Sequence, residues 1–178
     1  MNSNNLPLPS WDQYFISMAY LAALRSKDES TKIGAVIVGQ EHQILSMGCN
    51  SFPRGIDDHK EERQVRPEKY FWIEHAERNS IFNAARSGIS VEGSTMYTNG
   101  TPCADCGRAI IQSGIREVVI HKQFEEIDTK NPNEREKWVE NARRTKEMFS
   151  ETGLLLREYD GKILDILSLR NGKILDFS

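Results

Sequence analysis

The chain has 178 residues, 38% of them hydrophobic and 28% charged, with a formal net charge of −3. One core at that length buries about two-thirds of the unfolded surface. The acidic balance argues against a large footprint for polymeric DNA or RNA, but not against a mononucleotide, which needs only one or two local cations. No apolar run approaches the roughly 20 residues of a membrane span, so no membrane partner is expected. Residues 1–5 carry no secretory pattern, and three cysteines make no disulfide framework. A reducing cytoplasm is the expected setting.

After a polar leader over residues 1–9, Ser10-Trp11-Asp12-Gln13 reads as a capping box that opens a helix. Trp11, Tyr14, Phe15, Met18 and Ala22 fall at helical spacing and form its expected core face. The polar stretch 25–32 leads into Ile33–Val38, a β-branched run of strand length. A turn over 40–43 precedes a second strand, Ile44–Asn50. Residues 51–72 read as a long polar connection, of the kind that tends to be functional or mobile.

A helix beginning near His75 runs to about Ser87 and stops at Gly88; Thr95–Thr98 is a short strand. Pro102 opens the next helix, which ends near Gly114, and Glu117–Ile120 is another strand. This alternation predicts an α/β layered fold. Asn133–Ser150 follows as a helix with Trp138, Ala142, Thr145 and Phe149 in one stripe, and Leu154–Tyr159 is a fifth strand. Gly-Lys-Ile-Leu-Asp occurs at 161–165 and again at 172–176, too short an echo for a repeat architecture. Asn171-Gly172 between apolar residues predicts a terminal hairpin. No linker divides the chain, so one domain is expected over 1–178, with a helix and hairpin extension from about residue 132.

Two short motifs carry the chemistry. His75-Ala76-Glu77 and Pro102-Cys103-Ala104-Asp105-Cys106 together match the H-x-E…P-C-x-x-C signature of zinc-dependent base deaminases. Three ligands, His75, Cys103 and Cys106, leave the fourth corner of a tetrahedral zinc open for a water, which distinguishes a catalytic site from a closed structural one. Cys103 and Cys106 stand three apart, so both sulfurs point from one face of a first helical turn. A helix N-terminus there favours thiolate over thiol. Glu77 is expected beside the water as general base and acid, moving its proton to the substrate ring and then to departing ammonia. A lone C-x-x-C suits a redox pair or half a structural zinc site, but neither calls for H-x-E. Cys49 reads as a small buried hydrophobe, His59 as solvated loop, and His42 and His121 as structural or exposed.

Beyond these motifs, Trp11–Phe15, Arg25-Ser26-Lys27-Asp28, Lys32–Val38 and Ile110–Ile115 make most of residues 10–120 similar to the deoxycytidylate (dCMP) deaminase branch of the cytidine deaminase-like superfamily. The resemblance implies a three-layer α-β-α sandwich around a central mixed five-stranded sheet, one catalytic zinc per chain and a homo-oligomer, often a hexamer. The implied reaction converts dCMP to dUMP and ammonia and feeds thymidylate synthesis. It also assigns roles. His75, Cys103 and Cys106 match the zinc ligands and Glu77 the proton shuttle. Asn50 is either a substrate contact or a turn asparagine. Lys32, then Arg25 and Ser30, lie where phosphate contacts gather, with ordinary surface polarity as the alternative for each. Ala76 and Thr101, beside the two motifs, complete the expected substrate contacts.

The resemblance has two departures, one of them after His121, where the chain has Phe124 and lacks the tyrosine expected near a bound nucleotide. The family's allosteric segment reads Gly-Tyr-Asn-Gly, where this chain has Gly48-Cys49-Asn50-Ser51. Cys49 lacks the ring and hydroxyl of tyrosine, and Ser51 adds a side chain where glycine permits close approach. Weak or absent dCTP and dTTP regulation is therefore expected, unless Phe52 and Arg54 rebuild an effector site. Competing readings are a zinc deaminase of another cytosine compound, a purine or a tRNA adenosine; a non-catalytic zinc protein; and a C-x-x-C oxidoreductase.

Overall fold

The computed structural model describes residues 6–125, 132–165, 167–170 and 173–176. The Ser10 hydroxyl accepts from the Gln13 N–H at 3.1 Å and starts α1, Trp11–Ala23. The reciprocal half of the capping box is not made. The Gln13 amide donates instead to the Lys162 carbonyl at 3.2 Å, tying the start of α1 to the distal chain.

Five strands form one mixed sheet in the order β2-β1-β3-β4-β5: β1 Gly34–Val38, β2 Ile44–Cys49, β3 Thr95–Thr98, β4 Glu117–His121 and β5 Leu155–Tyr159. β1 runs antiparallel to both of its neighbours, while β3, β4 and β5 are mutually parallel. Side chains alternate across a strand, and β1 sends Val36 and Val38 to one face, Ala35 and Ile37 to the other. The first face packs on Phe15, Ile16 and Ala19 of α1. The second is covered by α3 (Ala76–Arg86), α4 (Ala104–Gln112) and α6 (Pro132–Thr152), whose Ala84, Ile110 and Phe149 join Met96, Val118 and Ile120 in its core. The result is the expected three-layer sandwich. Two four-residue helices, α2 (Lys69–Trp72) and α5 (Lys122–Glu125), are the remaining α-helices among the described residues.

The buried face of α1 is turned from the expected stripe: Phe15, Ile16, Ala19, Ala22 and Ala23 are buried, whereas Trp11 and Tyr14 are exposed. Close approach decides this orientation. At Gly34 an added Cβ would lie 1.9 Å from the Ala19 carbonyl oxygen, so the small Ala19–Ala23 side of α1 rests directly on β1. Trp11 stacks on His42 outside the core, ring centroids 4.2 Å apart.

The 51–72 connection is more ordered than its composition predicts. It holds a 3-10 turn at Glu61–Arg63, helix α2, and a two-residue bridge pairing Ser51 with Glu74. Along α6, Thr145 and Phe149 are buried as expected, but Trp138 keeps 39% of its surface exposed. Strands β6 (Leu167–Arg170) and β7 (Lys173–Asp176) pair antiparallel with Arg170 opposite Lys173; the Asn171-Gly172 turn expected between them lies outside the described residues. Among the described residues no helix is long and apolar enough to cross a membrane.

Candidate active site

Two helix starts converge. His75 is the N-cap of α3 and Cys103 the N-cap of α4, both with extended backbone (ψ 154° and 169°), and neither side chain caps its own helix. They face each other instead. Pro102 therefore lies one residue before the α4 N-cap rather than in the first helical turn, a small correction to the expected start. His75 Nδ1 lies 3.4 Å from Cys103 Sγ and 3.5 Å from Cys106 Sγ. Ligands held 2.0–2.3 Å from a tetrahedral zinc stand about 3.6 Å apart. The three donor atoms lie within 4.8 Å of one another, so these residues could hold one such ion with little movement.

Glu77, in the first turn of α3, is buried, with Oε2 accepting from Cys106 Sγ at 3.5 Å. Burial pushes its carboxyl above the ordinary range, and the Cys103 charge adds to the effect. Cys103 is drawn down to about 4, first by a hydrogen bond from Cys106, opposed by burial and helped by His75. Cys106, giving that hydrogen bond, is pushed far up, with burial reinforcing the shift. For His75, burial opposes the charged form, but the hydrogen bond with Cys103 and the charge of Glu77 outweigh it and raise the imidazole.

A second set of residues braces the cluster and was not visible in the motifs. Glu74 accepts from the His75 N–H at 2.9 Å and from Arg78 Nε at 2.5 Å. The Arg78 guanidinium also lies 3.7 Å from Asp105, joining α3 to α4. It faces both thiols, whose charges help to raise it against the opposing effect of burial. The i,i+4 spacing of Glu74 and Arg78 was the available signal.

Residues 9–122 match the cytidine and deoxycytidylate deaminase zinc-binding region. The chain belongs to this deaminase family. It is 39% identical over 115 residues to mouse (Mus musculus) deoxycytidylate deaminase, an alignment covering 62% of this chain and 64% of that one. The chain thus matches a little under two-thirds of that relative's length. It is also 34% identical over 149 residues to an uncharacterized deaminase from Aliivibrio fischeri, covering 83% of this chain and 92% of the relative. In fold it is similar to the crystal structure of dCMP deaminase from the cyanophage S-TIM5, at a TM-score of 0.62 and 22% identity, covering 86% of this chain and all of that one. Zinc is the metal that goes with the family's region and with the His-Cys-Cys donor set.

The other expected contacts of this chain fall into two groups. Arg25 and Lys32 both bring positive charge to the Cys49 thiol, which burial otherwise raises. Lys32 Nζ donates to the Ser26 carbonyl at 2.6 Å, which uses one of its three protons. By contrast, Asn50 is enclosed. Its Oδ1 accepts from the Ile33 N–H (2.8 Å) and the Ser26 hydroxyl (2.7 Å), and its Nδ2 donates to the Thr31 carbonyl (2.8 Å) and to Asp28 (3.2 Å). Ser30 likewise donates to Asp28 at 2.9 Å and accepts from Lys69. Ala76 is fully buried in the core, and Thr101 is half-buried between β3 and α4.

Within the expected allosteric segment, Gly48 has a packing reason: an added Cβ would lie 2.5 Å from the Ser80 backbone nitrogen in α3. Ser51 makes the backbone bridge to Glu74, and Arg54 donates to Asn83 at 2.5 Å. A surface cleft of about 620 Å³ opens on the 51–72 connection, lined by Arg63, Arg66 and Trp72 among others, and by none of the expected site residues. The Arg63 guanidinium already covers the Trp72 ring there, 3.8 Å from its centroid.

Proposed function

We propose that the chain is a zinc-dependent hydrolase that converts dCMP to dUMP and ammonia. The observation that carries this is the buried Glu77 carboxylate set against a His75-Cys103-Cys106 donor cluster at tetrahedral spacing. Zinc, when bound by those three residues, supplies the Lewis acidity that brings the pKa of a water near neutral. Glu77 does the proton work. Its Oε2 accepts a proton from the water and delivers it to the pyrimidine ring nitrogen as the hydroxide adds to the amino-bearing carbon. It then takes the remaining proton of that hydroxyl to the amino group, so that ammonia leaves as the carbonyl forms. Burial serves this role, because a carboxyl with a raised pKa is a better base and holds the proton long enough to hand it on.

The 39% identity to a deoxycytidylate deaminase supports the nucleotide as substrate. Arg25 and Lys32, the two cations that the fold gathers at Cys49, are the proposed partners of the 5′-phosphate. The free thiols of Cys49, Cys103 and Cys106 fit a reducing cytoplasm. Exposed Phe71, Leu24 and Val65 fit a homo-oligomer, which light scattering measures directly.

The deciding experiment is ammonia release across dCMP, dCTP, deoxycytidine, cytosine, guanine and adenosine. The expected preference is dCMP over deoxycytidine, with Lys32→Ala reducing that preference by ~1.5–3 kcal/mol. Deoxycytidine outpacing dCMP in the unmutated chain would overturn the nucleotide assignment.

A further inference from the structure

Helix α6 lies beyond the matched deaminase region, which ends at residue 122, yet it reaches the metal cluster. It is held against α4 along one stripe. Thr145 is fully buried over Gly107, where an added Cβ would lie 3.0 Å from the Thr145 Cγ2. One turn earlier, Asn141 Oδ1 accepts from the Ala104 N–H at 3.4 Å, at the residue that follows Cys103. Residues three and four apart share a helix face, so the same stripe next presents Trp138 at the start of α4. There its ring centroid lies 6.3 Å from that of His75, with the planes 33° apart.

We infer that Trp138 is a substrate-binding wall of the site, contacting the planar base rather than the phosphate. This inference rests on the proposed deamination of a pyrimidine nucleotide. The ring lies beside His75, whose Nδ1 faces both sulfurs. It is only partly covered by the chain itself, with 39% of its surface exposed. A partly open indole beside a metal-ligating imidazole offers a π-face to a planar heterocycle, and stacking of a base on such a ring is tolerant of ring substituents. The other two tryptophans are engaged elsewhere: Trp11 stacks on His42, and Trp72 lies under the Arg63 guanidinium. Trp138 is therefore the indole expected to respond to a base entering the site.

The test uses the zinc-loaded full chain with Trp138→Ala and Trp138→Phe. Trp138→Ala should raise KM about tenfold for dCMP and for deoxycytidine alike, with kcat changed less than threefold and zinc content intact. Trp138→Phe should recover most of the KM loss. In equilibrium titration, dUMP should quench tryptophan fluorescence in the unmutated chain, and Trp138→Phe should abolish that response while still binding dUMP. An unchanged KM in Trp138→Ala overturns the inference, as does a kcat or zinc loss without a KM change, which would make the ring a shield for His75. Fluorescence quenching that survives in Trp138→Phe also overturns it. Failure of the unmutated chain to turn over any cytosine compound would instead sink the proposed deamination itself.

Discussion

Two polar clusters are built into this sandwich, and they are satisfied in opposite ways. At the starts of α3 and α4, the side chains of His75, Cys103, Cys106 and Glu77 turn their polar atoms on one another. Around the loop between α1 and β1, its Ser26, Asp28 and Ser30 join Asn50, just after β2, and Lys69, at the start of α2, in a closed network with the backbone. Asp28 alone accepts from the N–H groups of Ser30 and Thr31, the Ser30 hydroxyl, the Asn50 amide and the Lys69 ammonium. The first cluster concentrates lone pairs at one point and can take a cation. The second matches donors to acceptors and has little left for a ligand. A buried polar cluster thus reads as a site when its groups repel or crowd one another, and as scaffold when they complement.

The largest effect should come from breaking the first cluster. Cys103→Ser removes a ligand, so zinc and ammonia release should be lost together. Glu77→Gln should retain the zinc while turnover falls by about two or more orders of magnitude, because only the positioned acid–base group is gone. Metal analysis beside the rate assay separates the two variants. Near-normal turnover in zinc-loaded Glu77→Gln would remove the assigned role.

Breaking the second cluster should cost stability first. Lys69 and Asp28 form an ion pair at 2.7 Å with both side chains 5% exposed. Lys69→Met would leave a buried carboxylate unmatched, at about 3–5 kcal/mol by denaturant unfolding. Adding Asp28→Asn to that variant should restore a substantial part, because the uncompensated charge is gone while acceptor atoms remain. A Lys69→Met chain as stable as the parent would mean the pair is not buried in solution.

The same pair sets an acid limb. Burial pushes the Asp28 carboxyl up, but the Lys69 hydrogen bond and the Ser30 N–H outweigh it and hold it below its ordinary 3.8. A depressed carboxyl contributes stability that is fully present above the unfolded value and is lost as pH falls through the folded one. The stability advantage of the parent over Asp28→Asn should accordingly be constant at pH 6 and shrink below about pH 4. Metal loss in acid is common to both chains and cancels in the difference. An advantage that stays flat down to pH 3 contradicts the pairing.

The two clusters differed as much in legibility as in chemistry. His75, Glu77, Cys103 and Cys106 could be read directly because fixed offsets at two helix starts carry the whole arrangement. The strands were equally plain: β1 is buried along its length, and Thr95–Thr98 matched residue for residue. Lys69 was not legible. It meets Asp28 across 41 residues, and a lysine in a charged stretch is ordinarily solvated. The only hint was the aromatic run Tyr70-Phe71-Trp72 after it, which closes a polar connection with a helical turn. The rotation of α1 escaped notice for a related reason: periodicity locates an apolar stripe only to within a residue or so, and the close contact at Gly34 chose between Trp11 and Ile16 as inward residues.

Ser30 gives the smallest effect and the sharpest division between the two kinds of cluster. Its position in the 25–32 loop suits a phosphate contact, yet its hydroxyl donates to Asp28 Oδ1 at 2.9 Å and accepts from Lys69. Ser30→Ala removes two hydrogen bonds, one to Asp28 and one from Lys69, but leaves the Asp28–Lys69 pair and the other donors to Asp28 in place. The expected loss is about 1 kcal/mol of unfolding free energy. Because the hydroxyl is already committed within the chain, the ratio of kcat/KM for dCMP to that for deoxycytidine should stay within about twofold of the parent, well inside the tenfold that 1.4 kcal/mol of phosphate binding would represent. Lys32→Ala, assayed alongside, should lower that ratio strongly. A Ser30→Ala chain that keeps its stability but loses its preference for dCMP would move Ser30 out of the scaffold and into the phosphate site, with Asp28 and Lys69 then acting to hold its hydroxyl toward the ligand.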